Sequence, residues 1–193
     1  PLEKAQEHIR EEKLGGKIAT RLGNGLAPLE PGETDTVIIA GMGGDLICKI
    51  LKAKPEFLIE GKEFILQPQS EWFKIRRLLK EYRYQIEKEW FLKEDGKYYV
   101  IIKAEPAWTQ PQRLKHQQPS IHEYIKEISE TPANQAVSEK DMESIYEQYG
   151  KYLIETKNPV LKEYLKKEIT KKESIAAELK QSIKEMESEE LSG

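Results

Sequence analysis

One cysteine in 193 residues, Cys48, leaves no partner for a disulfide and no set of thiolates for a metal cluster. Histidine is nearly as scarce. His8, His116 and His122 fall outside any recognisable catalytic spacing, so Cys48, set in an apolar helix face, reads as a structural thiol and not a nucleophile. No apolar run approaches bilayer length and no signal peptide is visible, which points to a cytosolic protein. A strong charge of one sign is also missing, the net being −3. Any contact with nucleic acid must therefore use a local patch such as Lys74, Arg76, Arg77, Lys80 and Arg83, residues that equally suit the wet face of a helix. Hydrophobic residues make up 38% against 34% charged, lean for one globule, so part of the chain should be a solvated helical element.

What is present begins with Thr36-Val37-Ile38-Ile39-Ala40, a β-branched run that stops at Gly41-Met42-Gly43-Gly44. A helix with Leu46, Ile47, Ile50 and Leu51 on one face follows at once, the pattern of a buried parallel strand turning into a helix. In open α/β sheets the ligand crevice lies at the carboxyl ends of such strands. Around this core the spacing of Leu2, Ala5, Ile9 and Leu14 predicts a first helix stopping at Gly15-Gly16, then a short strand over 17–22 ending at Gly23-Asn24-Gly25. Residues 63–69 predict a third strand, and Ser70 a cap for a helix with Trp72, Ile75, Leu79 and Tyr82 in one stripe. Runs over 84–92 and 97–104 meet at Glu94-Asp95-Gly96, a hairpin signal that adds an antiparallel pair to a largely parallel sheet.

The organisation that follows is a sheet domain over 1–105, a Pro- and Gln-rich connector over 106–137 with one short patch (Ile121, Tyr124, Ile125, Ile128), and a helical hairpin over 138–193. Met142, Tyr146, Tyr149 and Leu153 keep a three-and-four spacing, Asn158-Pro159 caps the next helix, and Leu165, Ile169, Lys172, Ala176, Leu179, Ile183 and Met186 continue it. Matching seams and a tight turn predict that these helices fold back as an antiparallel, coiled-coil hairpin.

The order of Gly23-Asn24-Gly25-Leu26, Ala40-Gly41-Met42-Gly43-Gly44, Leu66-Gln67-Pro68-Gln69 and a closing Asp-Gly hairpin resembles the second half of a class I methyltransferase. More narrowly it resembles the bacterial tRNA (adenine(22)-N1)-methyltransferases, which share the Gly-Met-Gly-Gly signature and a C-terminal helical hairpin. The resemblance implies an α/β, Rossmann-like sheet that is N-terminally incomplete. The strand-loop-helix that holds the methionine part of S-adenosylmethionine, and the next strand with its ribose-binding acid, would precede the helix with which this chain starts. An exposed apolar sheet edge is then expected. The implied reaction is transfer of a methyl group from S-adenosylmethionine to N1 of an adenine in tRNA.

Adenine N1 carries an in-plane lone pair, so a catalytic base is optional and none is assigned. Enzymes acting on an exocyclic amine typically carry Asn/Asp-Pro-Pro-aromatic where this chain has Ala40 to Gly44, which favours a ring nitrogen. By the same resemblance Asn24 and Gly25 contact the donor's adenine, and Ala40, Gly41, Met42, Gly43 and Gly44 form the floor beneath sulfonium and acceptor. Gln67, Pro68 and Gln69 would read the edge of an extruded base, and Arg76 and Arg77 would contact tRNA together with the hairpin. Taken alone, Asn24-Gly25 is better accounted for by an ordinary Asn-Gly turn, and a plain strand-to-helix turn accounts for Ala40 to Gly44 as well as the floor does. Trp72 suits core better than base stacking, and Tyr98 and Tyr99 receive no catalytic part. Two other readings stay open: a non-catalytic remnant that binds protein or RNA through its hairpin, and a methyltransferase for a small-molecule acceptor.

Overall fold

The computed structural model describes residues 2–109 and 138–190. The first helix, α1 (Leu2–Glu11), is followed by turns up to Asp35. Then come β1 (Thr36–Met42), α2 (Gly44–Lys52), α3 (Glu56–Ile59), β2 (Glu63–Pro68), α4 (Trp72–Glu81), β3 (Tyr84–Glu94) and β4 (Lys97–Pro106). One turn of 3-10 helix, Ala107–Thr109, closes this part. Beyond residue 137 lie α5 (Glu139–Tyr149), α6 (Lys151–Glu155) and α7 (Pro159–Glu190). The connector expected over 106–137 lies outside the described residues from 110 onward.

The four strands form one sheet in the order β1-β2-β4-β3, with β1 and β2 parallel. Asp95 and Gly96, both at positive φ (48° and 77°), make the two-residue loop between β3 and β4, the backbone that Asp-Gly adopts with least strain. The chain divides into two compact units, Pro1–Glu87 with Lys103–Gln117, and Lys88–Ile102 with Gln118–Gly193, so the division crosses β3 and β4. In the first unit, Val37 and Ile39 of β1 and Phe64 and Leu66 of β2 are buried, as are Ile47, Leu51, Phe57, Leu58, Ile75 and Leu79 from the helices. Alternation along β1 leaves Ile38 on the other face, 67% exposed, and β1 is an edge strand of the sheet. An apolar, unpaired edge templates association. Ile38→Thr, which keeps β-branching and removes apolar surface, is expected to raise the concentration at which light scattering first appears, with the melting temperature within about 2 °C of the parent.

In the second unit Phe91, Tyr98 and Tyr164 meet at ring-centroid distances of 5.1 to 5.7 Å. Glu163 accepts from Lys93 Nζ at 2.6 Å and from the Tyr98 hydroxyl at 3.1 Å. Met142, Leu153 and Leu161 are buried, Ser138 Oγ accepts the amide of Asp141, and Asn158 Oδ1 accepts those of Val160 and Leu161. The cap predicted at Asn158 is in place. The predicted seam is covered only at its start: Leu165 is half-buried, whereas every seam residue from Ile169 to Met186 is exposed.

Several expectations need correction. Residues 17–22 form turns and extended chain, not a strand. Lys17 and Ile18 donate back to the carbonyl of Leu14, and Arg21 is tied to Glu33, so this backbone makes local bonds in place of a ladder. α1 ends at Glu11, four residues before the glycine pair, with Lys13 taking the left-handed conformation (φ 55°). Ser70 is not the cap of α4: that position belongs to Glu71, itself left-handed (φ 54°). Leu46 is exposed, so the apolar face of α2 rests on Ile47 and Leu51.

Candidate functional site

At the carboxyl ends of β1 and β2 the register slips between Ala40 and Met42: Ala40 pairs with Gln67, Met42 with Pro68, and Gly41 is the extra residue of a bulge. A bulged residue loses its ladder partner, and an unpaired amide is costly once water is excluded. The side chain of Gln67 takes over, with Gly41 N–H donating to Gln67 Oε1 at 2.7 Å. Three further bonds join the loop after β1 to the loop after β2. Gln69 N–H donates to the Met42 carbonyl at 2.8 Å, Gly44 N–H to the Ser70 carbonyl at 2.9 Å, and Asp45 N–H to Glu71 Oε2 at 3.3 Å. Glu71 thus caps α2, the neighbouring helix, where its charge suits the helix N-terminus.

The glycines of this loop do different jobs. Gly44 is buried, and a Cβ there would lie 2.6 Å from the Glu71 carbonyl oxygen and 2.7 Å from that of Ser70, so only glycine allows the loops to meet. Gly41 is exposed at φ 80°, and a Cβ built on it meets open space. Gly43 would touch only the Ser70 hydroxyl, at 3.1 Å. The opening therefore lies over Ala40, Gly41 and Met42, all exposed, with Gln69 exposed on the opposite loop. Gln67 Nε2 is buried without a hydrogen-bond partner, a donor beside the bulge that a bound molecule can satisfy.

Asn24 is exposed and its carbonyl accepts the amide of Ala27, while Gly25 (φ 56°) packs on α2, its Cβ position 2.8 Å from Ile50. Both the turn geometry and the close approach require glycine at 25. Pro68 is buried, its carbonyl accepting from Trp72 Nε1 at 3.1 Å, so its ring does not face a ligand.

The basic patch also differs from expectation. Arg76 is only 5% exposed and belongs to the inner face of α4, whereas Arg77 and Lys80 are exposed. Arg77 and Lys74 instead share a groove of about 240 Å3 with Lys49 and Lys52 of α2, bounded by Asp45 and Glu81. Asp45 pairs with Lys49 at 2.7 Å and with Lys74 at 2.9 Å, and Lys52 pairs with Glu81 at 3.2 Å. Sequence reasoning missed Lys49 and Lys52 because they stand on another helix; their three-residue spacing on the polar side of α2 was the available signal. Cys48 lines the same groove half-buried, and burial pushes its thiol up. On the sheet, Lys103 lies between Glu63, Glu87 and Glu105 at 2.9, 2.7 and 3.2 Å, so these three carboxylates already share a cation.

Hydrogen bonds from Lys49 and Lys74 hold the Asp45 carboxyl at about 2, and Lys93 with Tyr98 holds Glu163 at about 2. Both lie below the unfolded value near 4, so their contribution to stability is complete above the ordinary carboxylate range and is lost as pH falls toward 2. Urea midpoints are expected to hold between about pH 5 and 7 and to fall below about pH 4, with a shallower fall in Asp45→Asn.

The sequence profile of the tRNA (adenine(22)-N(1))-methyltransferase family, TrmK, matches residues 1–143. The tRNA (adenine(22)-N(1))-methyltransferase of Bacillus subtilis is 39% identical over 105 residues, 54% of this chain and 44% of that protein. The chain therefore spans less than half the length of this curated relative. The crystal structure of the B. subtilis m1A22 tRNA methyltransferase TrmK superposes with a TM-score of 0.69 at 28% identity, over 94% of this chain and 67% of that one. A Streptococcus pneumoniae protein in complex with S-adenosyl-L-methionine gives 0.65 at 27% identity, over 89% and 66%. With a sheet of the same Rossmann-like kind and a profile match over most of its length, this chain belongs to the tRNA (adenine(22)-N(1))-methyltransferase family.

Proposed function

We propose that this chain carries donor- and acceptor-binding residues of an S-adenosylmethionine-dependent enzyme that methylates N1 of adenine 22 in tRNA, acting in the cytoplasm. The observation that carries the reading is the opening at the ends of the two parallel strands: exposed backbone at Gly41 with nothing above it, and an unsatisfied buried donor at Gln67. Exposed backbone of this kind suits a flat base laid against it, and a polar atom left over fits a ligand that supplies an acceptor. Asn24 and Gly25 are the candidates for the donor's adenine, and Ala40, Gly41 and Met42 for the floor. Gln69 is the candidate for the acceptor edge, and Gln67 for fixing the bulge. When bound, S-adenosylmethionine supplies an electrophilic methyl group. The chain's residues contribute alignment and exclusion of water, the principal demands of an in-line displacement onto a nitrogen that already has its lone pair.

Phosphates of tRNA suit the groove of Lys49, Lys52, Lys74 and Arg77. Calorimetric titration with S-adenosylmethionine, followed by methylation of tRNAs with adenine or guanine at position 22, tests the reading. Heat of binding with methylation of the adenine form alone is expected; absence of both sinks it. Lys49→Ala with Lys52→Ala is expected to lower tRNA affinity and reduce the slope of log K against log salt by about 1–2. Arg76→Ala is expected to lower the melting temperature instead and leave that slope unchanged.

A further inference from the structure

We propose that the distal part of α7 is a self-association arm on which two copies of this chain pair antiparallel. Residues 165, 169, 172, 176, 179, 183 and 186 alternate steps of four and three without a break, the repeat of a left-handed two-helix seam. The first turns of α7 spend this seam inside the second unit, with Leu161 buried and Tyr164 against Phe91 and Tyr98. From Ile169 onward it is bare. Ile169, Leu179, Ile183 and Met186 are 55%, 59%, 54% and 65% exposed, a continuous apolar stripe of a kind that soluble helices normally cover.

The charges along the helix select the occupant and its direction. Residues 162–172 hold five lysines and two glutamates, and residues 178–190 hold five glutamates and two lysines. These two halves carry equal and opposite net charge. A second copy laid parallel sets like on like, whereas an antiparallel copy sets each basic half against an acidic one. Antiparallel packing of the repeat puts Ile169 on the partner's Met186, Lys172 on the partner's Ile183 and Ala176 on the partner's Leu179. Glu173 then stands beside the partner's Lys180, twice by symmetry. Ala176 and Ala177 at the crossing let the helices approach closely. Lys172 lays its alkyl stem on the seam while its ammonium reaches water, a device that fixes register at some loss of strength. A seam this short falls below roughly 1,200 Å2 of buried surface, the weak and reversible class. Pairing is therefore concentration-dependent in the micromolar range. The same charge pattern argues against RNA as the occupant, because the acidic half repels phosphate.

Sedimentation equilibrium of the whole chain, from low micromolar to several hundred micromolar, is expected to show the mass rising from monomer toward dimer. Ile183→Glu, a change at an exposed position, abolishes the rise with an unchanged circular dichroism spectrum. Direction is read by spin labels in a Cys48→Ser background: antiparallel pairing makes the separation greater for Thr170→Cys than for Ala177→Cys, whereas parallel pairing makes the two equal. A monomer at every concentration, or equal separations, overturns the proposal. So does a monomer whose tRNA affinity falls in Ile183→Glu, which assigns the stripe to RNA. None of these readouts depends on methyl transfer, so the outcome is independent of the proposed activity.

Discussion

Gly44→Ala is expected to cost about 1–3 kcal/mol from overpacking alone, with about 1 kcal/mol more for the bond from Gly44 N–H to the Ser70 carbonyl. A loss of about 3 kcal/mol corresponds to a fall of roughly 6–12 °C in melting temperature for a chain of this length. The added methyl meets two backbone carbonyl oxygens and so has no flexible side chain to push aside. Removing the neighbouring side chain therefore does not help: Ser70→Gly in the same molecule is expected to leave the defect in place. The other two glycines of the loop set the scale. At Gly43 the obstacle is a hydroxyl that can rotate, so alanine there costs little. At Gly41 there is no obstacle, only the left-handed backbone at φ 80°, which costs about 1–2 kcal/mol for an L-residue. Thermal melts of the three alanine variants should therefore rank Gly44 well below Gly41, and Gly41 below Gly43. Calorimetry should show donor binding impaired at Gly41 out of proportion to its melt, since the methyl enters the opening. A Gly44→Ala variant as stable as the parent would remove the loop-to-loop junction from the account of this site.

That ranking marks where sequence reading stops. The run Thr36 to Ala40 and the pair Asp95-Gly96 were legible because their signals are local: β-branched residues suit a pleated strand, and Asp-Gly suits two positive dihedrals in succession. Asn158 was legible as a cap because its acceptor reaches only two and three residues ahead. The division of labour among Gly41, Gly43 and Gly44 was not legible, since each role is set by a residue 26 or 27 positions away on another loop. Ser70 misled for a related reason. Its type suits a helix cap, but its carbonyl is engaged by Gly44 and the left-handed Glu71 stands between it and α4. Arg76 misled through one step of helical phase, about 100° from Arg77, enough to turn a side chain from solvent to core. Residues 17–22 have the composition of a strand, yet composition does not supply the neighbouring ladder that a strand requires. The glycine cluster and Gln67 were named from the sequence as positions of interest, but the bond between them depends on a bulge that no local pattern announces.

Gln67→Leu tests that bond directly. The substitution removes the acceptor of the Gly41 amide and, with it, the Nε2 donor that has no partner among the described residues, so gain and loss partly offset and stability should fall by no more than about 1–2 kcal/mol. The functional cost is expected to be larger. Without Gln67 Oε1 the peptide plane of the bulge's extra residue loses that anchor, and with it the alignment of the floor proposed for the reacting base. Misplacement of that kind costs about 10–100-fold in rate when catalysis rests on positioning. Gln67→Glu separates the two functions of the side chain. It keeps an oxygen for Gly41 and lacks the amide donor, so recovery of methyl transfer to adenine-22 tRNA assigns Gln67 to holding the loop, and continued loss assigns Nε2 to the bound ligand. Hydrogen exchange at the Gly41 amide gives the same distinction without turnover: faster in the Leu variant, unchanged in the Glu variant. Slow exchange at Gly41 in Gln67→Leu would show that the bulge holds itself, and Gln67 would then have no part in shaping the site.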